Sequence, residues 1–265
     1  MIGEIVIPAR LASTRLPEKL LLCETGKSVL EHTYLACKTA LRPNGITVAV
    51  DHSRLFEAVR DFGGHAEWTD VNAQSGTDRV AEVARSRPYV DLFINVQGDE
   101  PEIAGSSIDA VMQLLESDPK AQVATLATPI RTKMDLEDPA CVKVVRAADG
   151  SALYFSRSVI PYPRSWNDEL LGKTPASFLQ HLGIYAYRRE FLLRLDQMQS
   201  SDLEQIEKLE QLRFLQAGCR IVVGVVPKSP RGIDTREEYE NFKARWLSKA
   251  NCQEHKGKGR SPDRA

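Results

Sequence analysis

Arg10, Arg15 and Lys19 fall within one short stretch, Arg10-Leu-Ala-Ser-Thr-Arg-Leu-Pro-Glu-Lys19, directly after the apolar run Ile5-Val-Ile-Pro8. Three cations so close repel one another unless an anion lies between them. Small residues at Ala9, Ala12 and Ser13 let a backbone approach that anion. In an open α/β sheet, ligands bind in the crevice beyond the carboxyl ends of the strands, so the pattern points to a polyphosphate. A solvated basic loop is the plainer reading of a charge cluster. The strand-to-loop setting favours the anion site.

Two carboxylates could complete such a site. Asp99 lies in Gln97-Gly-Asp-Glu-Pro101, just past the strand-like Leu92-Phe-Ile-Asn-Val96, where it could hold Mg2+ on a nucleotide phosphate. The alternative is an N-cap for a helix over 104–115. Asp234, in Gly232-Ile-Asp-Thr-Arg236, is a second candidate ligand, and Asp234 or Thr235 could equally cap a helix over 237–247. Spacing alone cannot pair two carboxylates this far apart.

Ser75-Gly-Thr-Asp-Arg79 reads as a helix start. Gly76 allows close approach, the helix N-terminus offers free N–H donors, and Arg79 adds charge one turn in. Gln74 could read a base edge, since an amide both donates and accepts. Capping is the alternative for Ser75 or Thr77. Tyr154-Phe-Ser-Arg157, His181-Leu-Gly-Ile-Tyr185 and Glu210-Gln-Leu-Arg213 bring polar groups onto apolar elements. Each is weak alone; a lone histidine such as His181 is usually structural, and a charge such as Glu210 is usually solvated.

The elements that must position these residues alternate between strand and helix. Strands are expected over 3–8, 46–50, 65–68 and 90–96, and helices over 28–41, 53–62, 76–85 and 104–115. This rhythm predicts a doubly wound, mostly parallel sheet. Then the pattern changes. Asp149-Gly150 between 142–146 and 152–156 is a hairpin signal, and 161–175, with three prolines, reads as a long loop. A strand is expected over 180–187 and another over 221–226. Leu203, Ile206, Leu209, Leu212 and Leu215 predict one helix opened by a Ser201/Glu204 capping box.

Composition sets the outer bounds. At 265 residues and 42% hydrophobic content, one large α/β domain can bury a sizeable core. A net charge of −1 gives no global field for nucleic acid or anionic membranes, so attraction for anions must be local. Five scattered cysteines with no C-x-x-C pair fit reduced thiols rather than a disulfide frame or zinc site. No apolar run approaches the ~18 residues of a bilayer span. With no basic and apolar leader at the start, a cytoplasmic protein is expected. The polar stretch from 250 reads as a disordered tail.

In register along the chain, IPARLASTRLPEK, QSGTDR, NVQGDEP, VKVV with ALYFSRSVIP, HLGIYAYRREF, LEQIEKLEQLR and GIDT resemble the 3-deoxy-manno-octulosonate cytidylyltransferases, the CMP-Kdo synthetases of lipopolysaccharide assembly. The resemblance covers residues 2–247. It implies a single nucleotidyltransferase domain over 1–249, with a nucleotide-binding part to about 130 and an inserted β-rich sugar-binding and dimerisation part over about 131–230. It implies CTP and Kdo as substrates, Mg2+ as cofactor and a homodimer, with no nucleic acid partner and no membrane insertion.

Position by position, the resemblance puts Arg10 and Lys19 on CTP phosphates, and Ala9, Gln74, Ser75 and Arg79 around the nucleotide. Asp99 and Asp234 would hold Mg2+. Arg15, Gln97, Arg157, His181, Tyr185, Glu210 and Gln211 would surround the sugar acid, arginine suiting its carboxylate through a forked contact. The family loop reads R-x-P-G-K, and here Glu18 stands where glycine is usual; a positive φ there would strain it. Asp78 replaces the usual glutamate of SGTE. A cytidylyltransferase for another acid sugar, such as 8-amino-Kdo, and a catalytically silent nucleotide-binding scaffold are the alternatives. A Rossmann dehydrogenase fits poorly, because the first loop lacks G-x-G-x-x-G.

Overall fold

The run Gly3–Ala9 (β1) is buried along its whole length, and its side chains divide by parity. Ile5, Ile7 and Ala9 join one apolar cluster and Val6 joins another on the opposite face, as a period of two requires. A strand covered on both faces belongs inside a parallel sheet. The computed structural model, which describes residues 1–227 and 232–257, has that arrangement.

The other strands are Gly45–Val50 (β2), Ala66–Trp68 (β3), Leu92–Asn95 (β4), Val123–Pro129 (β5), Lys143–Arg146 (β6), Ala152–Ser156 (β7), Leu179–Arg188 (β8) and Ile221–Val225 (β9). The helices are Val29–Cys37 (α1), Ser53–Asp61 (α2), Gly76–Arg85 (α3), Gly105–Ser117 (α4), Lys133–Glu137 (α5), Glu169–Gly172 (α6), Arg189–Leu192 (α7), Asp202–Glu207 (α8), Gln211–Gln216 (α9) and Arg236–Gly257 (α10).

Across the sheet the strands run β3-β2-β1-β4-β8-β5-β9, and the β6–β7 hairpin joins β8 through Lys143 and Gln180. β1 pairs in parallel with both β2 and β4, and β2 with β3. β8 is antiparallel to β4 and to β5, whereas β9 lies parallel to β5. Helices α1, α2, α4 and α10 cover the face of Ile5 and Ile94; α3, α7 and α9 cover that of Val6 and Phe93. Because β2 and β4 lie on opposite sides of β1, the chain changes winding direction there. The crevice at the carboxyl ends of β1 and β4 is therefore the topological switch point.

Several expectations need correction. The single helix over 203–215 is two, α8 and α9, broken at Lys208 with φ 51°. Apolar residues three apart turn by about −60° per step on an α-helix, so that stripe cannot stay on one face. Leu209 and Leu212 are buried, and Ile206 is 78% exposed. The polar stretch from 250 is helical to Gly257, since 250–256 contains neither glycine nor proline; residues 258–265 lie outside the described ones. The loop over 161–175 carries the short α6. β5 has no counterpart in the sequence reading, because it is buried on both faces except at Pro129 and so shows no polar alternation.

Candidate active site

The switch point gathers the first loop, the loop after β4 and the entry to α10. Lys19 Nζ hydrogen-bonds an oxygen of Asp99 and lies 2.8 Å from Asp234 Oδ1, and Arg15 Nη2 reaches Asp234 Oδ2 at 2.8 Å. Residues 80 and 215 positions apart from Lys19 thus converge on one ammonium. Burial works against the charge on Lys19, but Asp99 and Asp234 outweigh it and hold its pKa above the ordinary lysine value. Burial likewise opposes the Asp234 carboxylate, yet Lys19 and Arg15 hold its pKa below the usual range.

Local structure frees both acids for this role. Helix α4 is capped by Ala104 with no side-chain bond, so Asp99 is not its cap. Thr235 and Glu238 bond reciprocally at the start of α10: Thr235 N donates to Glu238 Oε2 at 2.8 Å and Glu238 N to Thr235 Oγ1 at 3.2 Å. That leaves the Asp234 carboxylate to the cations. Gly98 lets the loop close on β1, because a Cβ there would come 3.1 Å from the Pro8 carbonyl oxygen. Thr33 of α1 ties the same loop down, its hydroxyl donating to Gly98 O at 2.9 Å.

Two hard oxygen donors already converging on one cation suit Mg2+, which takes one or two carboxylates and fills its shell with water and substrate phosphates. Among the described residues no group of three His, Cys, Asp or Glu side chains gathers to hold a metal. A metal here would therefore depend on oxygens from a ligand. Arg10 lines the same cavity, with Ser13, Thr14, Lys19 and Gln97.

Glu18 has φ 50°, a left-handed backbone that suits glycine and strains a residue carrying a side chain. Its carboxylate turns away from Lys19 and pairs with both terminal nitrogens of Arg54, Nη2 at 2.8 Å. The Arg54 contacts hold Glu18 ionised, below the usual carboxylate range. Glu18→Gly relieves the backbone and removes an exposed ion pair of small worth. The KM for CTP is expected to change by less than about threefold. A tenfold change in initial-rate measurements would instead make the Glu18–Arg54 clasp part of nucleotide capture.

The nucleotide-side residues divide. Ala9 is buried at the end of β1. Gln74 is exposed, its amide bonded to Asn72 O at 2.8 Å, and Ser75 caps α3 in a box completed by Asp78. Arg79 is a correction: it is 3% exposed, with Nη2 2.9 Å from Asp51 Oδ2 and Nη1 2.8 Å from Thr69 Oγ1. It faces into the fold because α3 buries that side against the sheet, and Asp51 in turn accepts Leu11 N at 3.0 Å. Arg79 thus braces the first loop from behind.

The sugar-side residues fall into two groups. Arg15, Gln97 and His181 line a cavity of roughly 450 Å3 with Asp99, Glu100, Gly183, Asp234 and Glu238. Glu210 sits instead against the start of α3, accepting from Ser75 Oγ at 2.8 Å and Thr77 Oγ1 at 2.5 Å. Burial raises its pKa against those bonds. Tyr185 stacks on Tyr187 and lies tilted at 52° to His181, and Gln211 is buried beside Glu210 in α9. Arg157 departs from expectation, because its guanidinium is committed to backbone: Nε donates to Glu207 O at 2.7 Å and Nη1 to Pro139 O at 3.0 Å. Carbonyls left free by the α8–α9 break attract it there.

β8 bulges opposite Thr125 and Leu126, which pair with Tyr185 and Leu182, a device common beside active sites. Thr125 Oγ1 donates to Ile184 O at 2.8 Å inside the bulge and lies 3.0 Å from His181 Nε2. A hydroxyl has one proton, so Nε2–H donates to Thr125 and Nδ1 keeps its lone pair. Burial pushes the imidazole down to about 3. Because the unfolded chain titrates near 6.5, it takes up the proton first, and stability falls as pH drops between those values. The slope reaches about 1.4 kcal/mol per pH unit. His181→Asn is expected to flatten the loss of unfolding free energy between pH 7 and 4.5 in urea titrations; equal losses would mean a solvated ring.

Sequence reasoning missed Glu100, Asp51 and Thr77 as participants. Two adjacent acids after a strand, Asp99 and Glu100, were the available signal for the first. Burial, with Asp99 beside it, pushes Glu100 up to about 8.

Residues 5–221 match a family model described as cytidylyltransferase. A 3-deoxy-manno-octulosonate cytidylyltransferase of Rhodopirellula baltica is 52% identical over 242 residues, 91% of this chain and 97% of that protein. The chain belongs to the 3-deoxy-manno-octulosonate cytidylyltransferase family. A second member, from Geobacter sulfurreducens, is 43% identical over 89% of this cytidylyltransferase and 95% of its own length. Among solved structures, a CMP:2-keto-3-deoxy-manno-octonic acid synthetase complexed with CTP superposes with a TM-score of 0.87 at 40% identity, covering 94% of this chain and all of that one. A cytidylyltransferase from Leptospira borgpetersenii, at 15% identity and TM-score 0.60, shares the fold. The doubly wound reading of the sequence holds.

Proposed function

We infer that this cytidylyltransferase transfers CMP from CTP to 3-deoxy-D-manno-octulosonate, giving CMP-Kdo and pyrophosphate. The observation that carries the reading is the meeting of Lys19 and Arg15 with Asp99 and Asp234 at the β1/β4 switch point, in a chain half identical to a named Kdo cytidylyltransferase.

The anomeric 2-hydroxyl of Kdo attacks the α-phosphorus of CTP in line with the departing pyrophosphate. Such transfers depend on positioning and charge stabilisation rather than covalent help from the protein. Arg10 and Lys19 bind phosphate oxygens, and Lys19 exchanges its carboxylate partners for them when the nucleotide enters. Asp99 and Asp234 would hold Mg2+, which would neutralise phosphate charge and lower the pKa of the attacking hydroxyl. The helix start at Ser75 and the amide of Gln74 meet the cytidine. Arg15, Gln97 and His181 receive the sugar acid, with Arg15 facing its carboxylate. Among the described residues no helix is long and apolar enough to cross a membrane. A cytoplasmic homodimer serving lipopolysaccharide synthesis belongs to the same reading, supported at the inserted region by exposed Leu153 and Tyr162.

The test is pyrophosphate release with Mg2+ and each nucleoside triphosphate, with and without Kdo. Release requiring CTP and Kdo together is expected. Release with CTP and a different acid sugar, but not Kdo, would reassign the acceptor.

A further inference from the structure

Four carboxylates line the cavity that also holds Arg15, Gln97 and His181: Asp99, Glu100, Asp234 and Glu238. Three already have partners. Asp99 and Asp234 share Lys19, and Glu238 accepts from Asp234 N and Thr235 N, each at 2.8 Å. Among the described residues the Glu100 carboxyl has no hydrogen-bond partner. Its backbone is held, with Glu100 N donating to Gln97 O at 3.2 Å, so the side chain is aimed rather than loose.

The walls beside it are bare. A Cβ at Gly183 would stand 3.5 Å from Glu100 Oε1, and one at Gly232 would stand 3.5 Å from Glu100 Cγ. Two glycines from different elements thus leave the carboxyl open to the cavity. Glu100 is half-buried, so water can satisfy its carboxyl until a ligand hydroxyl takes that place. His181 lines the same cavity with Nδ1 as an acceptor, as derived above. The cavity therefore sets a cation, Arg15, among acceptors that include Glu100 and His181. A sugar acid matches that division, with one carboxylate and several hydroxyl donors.

We propose that Glu100 is a specificity-determining residue of the sugar subsite, accepting a hydrogen bond from a hydroxyl of the sugar acid while Arg15 takes its carboxylate. This rests on the Kdo cytidylyltransferase reading. Either protonation state of a carboxyl offers an acceptor oxygen, so the assignment does not depend on charge. A sugar lacking the matching hydroxyl leaves Glu100 unsatisfied, and discrimination of this kind is stronger than any an apolar wall provides.

Initial rates of pyrophosphate release at saturating Mg2+, for wild type, Glu100→Ala, Glu100→Gln and Gly183→Ala, test the proposal. Glu100→Ala is expected to raise the KM for Kdo about ten- to hundredfold, with the KM for CTP moving by less than about twofold. Glu100→Gln keeps an acceptor oxygen and should recover most of the loss. Gly183→Ala sets a methyl against Oε1 and should raise the KM for Kdo without touching Glu100. Where Glu100→Ala does not fold, the other two variants decide. An unchanged KM for Kdo, or equal rises for both substrates, overturns the assignment while wild-type turnover leaves the cytidylyltransferase reading standing. Wild-type protein that turns over CTP only with another acceptor overturns both.

Discussion

Asp99→Ala is expected to lower kcat for CMP transfer by about 10³-fold. The expectation follows from where Asp99 stands. It and Asp234 are the two oxygen donors around the Lys19 ammonium, and the alanine variant leaves a bound cation one protein ligand. Lys19 keeps Asp234, so the loop stays anchored and nucleotide affinity should fall much less than turnover. The effect should appear in kcat and in the Mg2+ concentration needed for half-maximal rate, which rises more than about tenfold. A Mg2+ titration of pyrophosphate release at saturating CTP and Kdo measures both. If kcat stays within tenfold of wild type at an unchanged Mg2+ requirement, Asp99 is merely the anchor of Lys19.

The second large effect is on stability. Arg79→Met should reduce the unfolding free energy by about 3–5 kcal/mol, the usual consequence of removing one partner of a buried pair. Asp51 retains only 10% side-chain exposure and Arg79 only 4%, so water cannot replace the lost guanidinium. Thr69 loses its donor as well. The double variant Arg79→Met with Asp51→Asn should be more stable than Arg79→Met alone, because no buried charge is then left unpaired. Urea unfolding at pH 7 compares the three. A loss below 1 kcal/mol for Arg79→Met would mean that water reaches Asp51 after all.

These two cases mark how far the sequence could be read. Asp99 was legible because the short apolar run of β4 ends in a glycine and acids, a local signal of a strand delivering carboxylates to a crevice. Helix α3 was legible to the residue, since Ser75 and Asp78 form its capping box. The direction of a side chain on a helix is harder. Arg79 looked like a charge offered to the nucleotide beside a helix N-terminus, but it lies on the face that α3 turns to the sheet, and its partner Asp51 follows a different strand. Nothing in the spacing joins positions 51 and 79. Glu100 stayed unseen for a related reason. Its significance comes from the neighbours it lacks, and bare glycine walls at 183 and 232 become visible only when β8 and the approach to α10 are folded against β4. Resemblance supplied the sugar-side residues as one group, and packing divided them between the cavity, the start of α3 and, for Arg157, the backbone.

The place of β8 between β4 and β5 has a consequence for how the protein is made. On a ribosome, β1 to β4 and their helices emerge together and can pair by short parallel crossovers. The outer edge of β4, however, waits for β8, with Asn95 and Tyr185 as register partners. Through that interval of synthesis a hydrophobic strand edge stands open, the kind of surface that recruits the edges of other chains. Slow, non-local pairing prolongs the exposure. The nascent N-terminal half is then the stage of its life at which this protein most needs a chaperone.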